Sequence, residues 1–199
     1  PVFAQLTRDN VITSEDVWQR LRLATENKNL TLAKRIANAL PDDQEPSDGQ
    51  LTQVFNQPNK LLENPPNLRE RRGRELVLLA VTRGSRENPS LTARQWENLS
   101  GHFSDSERGY AWGQLGMQAA RRLNPEALAW FQAGGTQVSG DEVLEWKARA
   151  ALRQQAWEVV LNAIQAMSPQ GQRQSTWRYW KGRALKAQGK LGQANPLFV

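Results

Sequence analysis

The sequence predicts an all-α protein, an α-solenoid or superhelix of antiparallel helical hairpins. Three observations predict it. Ala, Leu, Gln, Arg and Glu dominate between the breaks, and strand-forming runs are scarce. Trp146, Arg149 and Ala150 fall on Trp180, Arg183 and Ala184 at an offset of 34 residues, and Trp112, Leu115 and Gly116 lie a further 34 back. Eight Trp, five Phe and two Tyr supply bulk for a continuous core, although hydrophobic residues make up only 39% of the chain.

The spacing has a mechanical meaning. Residues i and i+4 of a helix sit one above the other, so an indole beside Gly or Ala leaves a hole that a neighbouring helix can enter. Trp130, Ile164 and Phe198 recur at the same period, as do Leu123, Trp157 and Leu191, and both sets are expected in the second helix of each hairpin. Trp112, Leu115 and Gly116 reproduce the W-x-x-L-G opening of the tetratricopeptide consensus, so the array is expected to be tetratricopeptide-like.

Taken in order, Ser14 is the expected N-cap of a helix that buries Val17, Leu21 and Ala24. Asn27 to Asn29 form a turn. Leu32, Ile36 and Ala39 or Leu40 then mark the inner side of a partner helix that Pro41 stops. Residues 41–68 read as an irregular joint within a single domain spanning 1–199, carrying one short helix that buries Leu51, Val54 and Phe55 before Pro65-Pro66 extends the chain. A longer helix follows, burying Leu76 and Leu79 or Ala80. Pro89 opens the next, with Trp96 and Leu99 on one face. Ser104 or Asp105 caps the helix of Trp112. Pro125 opens its partner, and Gly134-Gly135 ends it. The hairpin begun at Trp177 has only Leu191 to Val199 for its second helix, so the array is expected to be truncated at its C-terminus.

Net charge is +6, and 19 of the 26 basic residues are Arg. The excess fits a solvated helical surface, with an anionic polymer as the alternative partner. No cysteine is present, which removes disulfides and thiolate metal sites. No apolar run approaches the roughly 20 residues of a membrane helix. The chain starts at Pro1 without a basic-then-apolar leader, as a mature or excised piece would.

Bond-breaking chemistry has no visible seat. His102 stands in a Gly-His-Phe turn with no second His or acid cluster beside it, and reads as a turn residue rather than a ligand or triad member. Phosphate-loop, dinucleotide and zinc-protease motifs are missing, and no pair of carboxylates stands out. No catalytic residue, cofactor or metal is therefore expected. Trp112, Trp146 and Trp180, with Arg149 and Arg183 three residues after two of them, read as structural repeat positions; the alternative for the indoles is a stacking platform for sugars or bases. The dense run Arg69, Arg71, Arg72 and Arg74 reads as a solvent face paired with Glu70 and Glu75, the alternative being an anion-contacting ridge. Arg71, Arg74 and Arg178 are the candidate glycan contacts.

At Glu145-Trp146, Arg149 to Arg153, Trp157, Ile164 with Met167, Trp177 to Trp180 and Arg183-Ala184, the chain resembles the helical, non-catalytic part of the soluble lytic murein transglycosylases. The likeness is strong from about Arg72 to Phe198. It implies a superhelical domain standing in front of a lysozyme-like catalytic domain that cuts peptidoglycan glycan strands in the periplasm, leaving a 1,6-anhydro end. The family's catalytic Glu-Ser pair does not occur in this sequence, and Leu115 to Gln118 matches the following Gly-Leu-Met-Gln segment only in altered order. No activity is therefore expected from this chain alone. The resemblance implies peptidoglycan strands, the catalytic domain of the same parent chain and other cell-wall proteins as partners, with nucleic acid excluded. A tetratricopeptide-like scaffold that binds a peptide in its groove is the alternative.

Overall fold

A computed structural model describes residues 12–198. Every regular element among them is helical, and none forms a strand. The chain divides into two compact units, residues 1–103 and 104–199.

In the first unit, α1 (Ser14–Glu26) is capped by Thr13 rather than Ser14. The Thr13 hydroxyl accepts the Asp16 N–H at 3.2 Å, while the Asp16 carboxylate accepts the Thr13 N–H at 2.8 Å. This reciprocal box satisfies two otherwise orphaned donors, which Ser14 cannot do from one position further in. Val17, Leu21 and Ala24 are buried as the spacing predicts. The second helix, α2 (Leu30–Ala37), is rotated from its expected face. It buries Ala33 and Ala37 and leaves Leu32 exposed. Two small residues one turn apart let α2 lie close on α1, which larger side chains at those positions would prevent.

Residues 41–68 hold two short helices, α3 (Asp48–Asn56) and α4 (Pro58–Glu63). Ser47 and Gln50 form a second capping box at the start of α3, and Leu51, Val54 and Phe55 are buried. Around α5 (Arg71–Glu87) pack α1, α3, α4 and α6 (Pro89–Leu99). That encirclement explains why α5 is buried on every side from Glu75 to Thr82 rather than along one stripe. Asn88 caps α6 from Pro89 at its first position, and Trp96 is fully buried against Phe103, ring centroids 4.7 Å apart.

The second unit stacks three hairpins: α7 (Asp105–Arg121) with α8 (Ala127–Ala133), α9 (Asp141–Arg153) with α10 (Trp157–Ala166), and α12 (Ser175–Ala187) with α13 (Leu191–Ala194). The short α11 (Pro169–Arg173) joins the last two. Ser104 caps α7 through a box with Glu107. Inside the first hairpin Trp112 packs on Trp130 at 6.5 Å between centroids. The hole expected at Gly116 is filled by Phe131, whose ring carbons would lie 2.8 Å from an added Cβ.

One turn recurs in both units. Lys28, Leu123, Gln155 and Gly189 all have positive φ, at 57°, 59°, 53° and 76°. The residue after each donates its N–H to the carbonyl five positions back: Asn29 to Ala24, Asn124 to Ala119, Ala156 to Ala151 and Lys190 to Leu185, all at 2.9 to 3.0 Å. These are Schellman turns, which satisfy the last carbonyls of a helix and reverse the chain. They also correct the register. Leu123 is a turn residue, 62% exposed, and is the counterpart of Gln155 and Gly189 rather than of Trp157 and Leu191. Trp146 and Trp180 each lie eight residues before their C-caps, whereas Trp112 lies ten before its own, so the three indoles do not share one structural position. Trp112 is buried, while Trp146 and Trp180 are half-buried. The fully buried indole of α12 is Trp177.

Candidate functional site

The aromatic and basic residues singled out in the last third converge on consecutive first helices of the second unit. On α9, Trp146 and Arg149 are three residues apart and therefore share a face. The Arg149 guanidinium carbon lies 5.0 Å from the Trp146 ring centroid and 5.0 Å from that of Trp177 on α12. One cation is thus held by two indoles from two helices. Arg121 from the last turn of α7 also lies over the Trp146 ring, 5.5 Å from its centroid. The sequence Arg121, Trp146, Arg149, Trp177 forms an alternating ladder across three helices.

Two carboxylates orient it. Glu145 accepts from Arg149 Nη1 at 3.3 Å one helical turn away, and Glu142 pairs with Arg121. The Arg149 side chain remains 41% exposed, so one edge of its guanidinium meets solvent beside the half-buried Trp146. A partly exposed guanidinium beside the half-buried Trp146 offers apolar surface and directed N–H donors in one place, which suits a ligand carrying both sugar-like faces and acceptor oxygens. Arg183 occupies the position on α12 that Arg149 has on α9, but turns back over Tyr179 and donates to its hydroxyl at 2.9 Å. Tyr179 in turn meets Trp180 edge-on at 5.3 Å.

The candidate arginines fall in different units. Arg178 is exposed on α12, beside Trp177 in sequence. Arg71 pairs with Glu15 and lies 3.8 Å from Glu75. Arg74 donates to the Leu68 and Arg69 carbonyls at 3.2 and 3.3 Å. The arginine run is therefore largely engaged by the first unit itself.

Sequence reasoning passed over Glu75 as a local partner. It is 2% exposed, and Arg22, 53 residues away, binds it through two N–H donors at 3.0 and 2.8 Å. Burial pushes its carboxyl above the ordinary range, and the Arg22 charge pulls it part of the way back. A proton-transferring carboxyl has to be reachable by substrate, and this one is walled in by α1 and clamped. Its signal in the sequence is an acid directly before the apolar run from Leu76 to Val81. Among the described residues, no group of His, Cys, Asp and Glu is arranged to hold a metal ion, and no helix is long and apolar enough to cross a membrane.

No protein-family model matches the chain, and no curated protein matches it significantly. Solved structures do. An inactive variant of the lytic transglycosylase Slt from Pseudomonas aeruginosa is 25% identical, with a TM-score of 0.66 over 98% of this chain and 32% of its own. The 70-kDa soluble lytic transglycosylase of Escherichia coli is 16% identical with a TM-score of 0.61, and a complex of the 70-kDa enzyme with bulgecin A gives 16% and 0.60, each over 98% of this chain and 32% of the other. The resemblance read from the sequence is thus matched in three dimensions along almost the entire chain, which spans about a third of the length of these proteins.

Proposed function

We propose that this chain is the helical, non-catalytic part of a peptidoglycan lytic transglycosylase, which holds glycan strands for a lysozyme-like catalytic domain of the same parent chain in the periplasm. The observation that carries this reading is the end-to-end fold match with soluble lytic transglycosylases. The half-buried Trp146 with the partly exposed Arg149, backed by the buried Trp177, is the surface we assign to strand contact, because an indole packs on pyranose rings and a guanidinium takes their oxygens. Arg178, exposed on the same helix as Trp177, is a further candidate contact, whereas Arg71 and Arg74 are engaged within the first unit and are left out of this surface.

Co-sedimentation with purified sacculi tests the reading. The chain should pellet with them, Trp146→Ala should weaken retention severalfold, and digestion should release no 1,6-anhydro muropeptides. Release of such products by this chain would overturn the non-catalytic assignment, and failure to pellet would overturn glycan holding.

A second reading, a tetratricopeptide-like scaffold for a peptide, draws on the four hairpins closed by identical turns. Tight binding to a peptide library without affinity for sacculi would favour it.

A further inference from the structure

We propose that a surface depression in the first unit, lined by Asn67, Leu68, Arg69, Arg74 and His102, is an oxyanion-binding site that takes a carboxylate or phosphate group. It brings two arginines and the only histidine of the chain to one concavity, and no acid is among the residues that line it. The sequence treats these as unrelated features, an arginine run and a turn histidine 28 residues beyond Arg74.

The depression is built rather than incidental. Its wall is the turn from Asn67 to Glu70, pressed onto the start of α5 so closely that a Cβ on Gly73 would lie 2.0 Å from the Asn67 carbonyl oxygen. Arg74 fixes the same turn through its bonds to the Leu68 and Arg69 carbonyls. Asn67 stiffens it further, its side-chain oxygen accepting the Arg69 N–H at 3.1 Å and its amide donating to Glu70 at 2.8 Å. Glu70 is drawn to Asn67 and to Arg72, 3.4 Å away. By contrast, the Arg69 guanidinium and the His102 ring are exposed and have no hydrogen-bond or ion-pair partner among the described residues.

A rigid turn therefore presents the unpartnered Arg69 guanidinium beside the unpartnered His102 imidazole at one hollow. A forked guanidinium and an imidazole, with the engaged Arg74 adding positive charge beside them, recognise a planar or tetrahedral oxyanion, since Arg69 and His102 can each direct an N–H to a separate oxygen. Surface arginines that merely solvate a helix extend into water and share no concavity. The site lies in the first unit and the Trp146 ladder in the second, so it stands independently of the glycan reading.

The test uses the full 199-residue chain, ¹⁵N-labelled, titrated with sodium phosphate and separately with sodium acetate at constant ionic strength set by sodium chloride. Saturable shifts are expected at the amides of Asn67, Leu68, Arg69 and His102, and the tighter of the two anions identifies the group taken. Arg69→Gln and His102→Gln, both at exposed positions, should each weaken binding about fivefold or more, as loss of a charge-assisted hydrogen bond does. Arg183→Gln in the other unit should leave it unchanged. Shifts that fail to saturate, that chloride reproduces, or that persist in Arg69→Gln and His102→Gln overturn the proposal.

Discussion

The Arg149 guanidinium carbon reaches from α9 to within 5.0 Å of the Trp177 ring centroid on α12 while lying 5.0 Å from that of Trp146 on its own helix. Removing it should loosen the packing of consecutive hairpins. Each exposed cation–π contact contributes about 0.5 to 1 kcal/mol, so Arg149→Ala is expected to cost about 1 to 2 kcal/mol. A double-mutant cycle with Trp177→Leu, read by urea denaturation, should return a coupling near 1 kcal/mol. A coupling of zero would remove the ladder from the account of stability.

Glu75 is expected to make stability depend on pH in an unusual direction. Its folded value is raised above the ordinary 4.5, so its favourable contribution is complete below that value and is lost as pH rises through the raised one. Denaturation of the wild type and of Glu75→Gln from mildly acidic to neutral pH should show the wild type losing ground to the variant as pH increases. A difference that stays constant would contradict this. Arg22→Met, which leaves the buried carboxylate without its partner, should cost about 3 to 5 kcal/mol at neutral pH.

Asp141 behaves oppositely. Hydrogen bonds from the Ser168 hydroxyl and backbone N–H, the latter at 2.7 Å, hold its carboxyl below the ordinary 3.8. The stability this contact gives is present above that value and disappears as pH falls through the depressed one. In Ser168→Ala, the Asp141 carboxyl carbon followed by NMR should titrate at a higher pH than in the wild type; an unmoved midpoint would show that the hydroxyl has no part in it.

Leu123 is a branched residue at φ 59°, with its side chain 62% exposed. Left-handed backbone costs an L-residue about 1 kcal/mol, so Leu123→Gly should raise stability by about 0.5 to 1 kcal/mol, whereas Gly189→Ala should lower it by a similar amount. Thermal unfolding of both variants checks the pair, and stabilisation by neither or by both would contradict the turn assignment.

Within the helices, much of this was legible. Pro89, Gly134 and Ser104 punctuate helices where expected, because their chemistry acts within one turn. Arg149 could be assigned to the repeat from spacing, but its second indole, Trp177, belongs to a different helix and only tertiary packing reveals it. The sequence pairs Glu75 with its neighbours because its true partner, Arg22, lies 53 residues away. Leu123 obeys the same 34-residue count as Trp157 while occupying a turn, and nothing in a leucine announces positive φ. His102 and Arg69 come together through a fold of α5 and α6 that no periodicity encodes.

Main-chain donors and acceptors recur at every corner between paired helices, and within this one polypeptide the corner is filled by a lysine, a leucine, a glutamine and a glycine. Such a joint favours glycine by about 1 kcal/mol but does not require it. Successive copies of the unit can therefore diverge freely at their hinges while the architecture persists, which accounts physically for a shape kept at 16% identity.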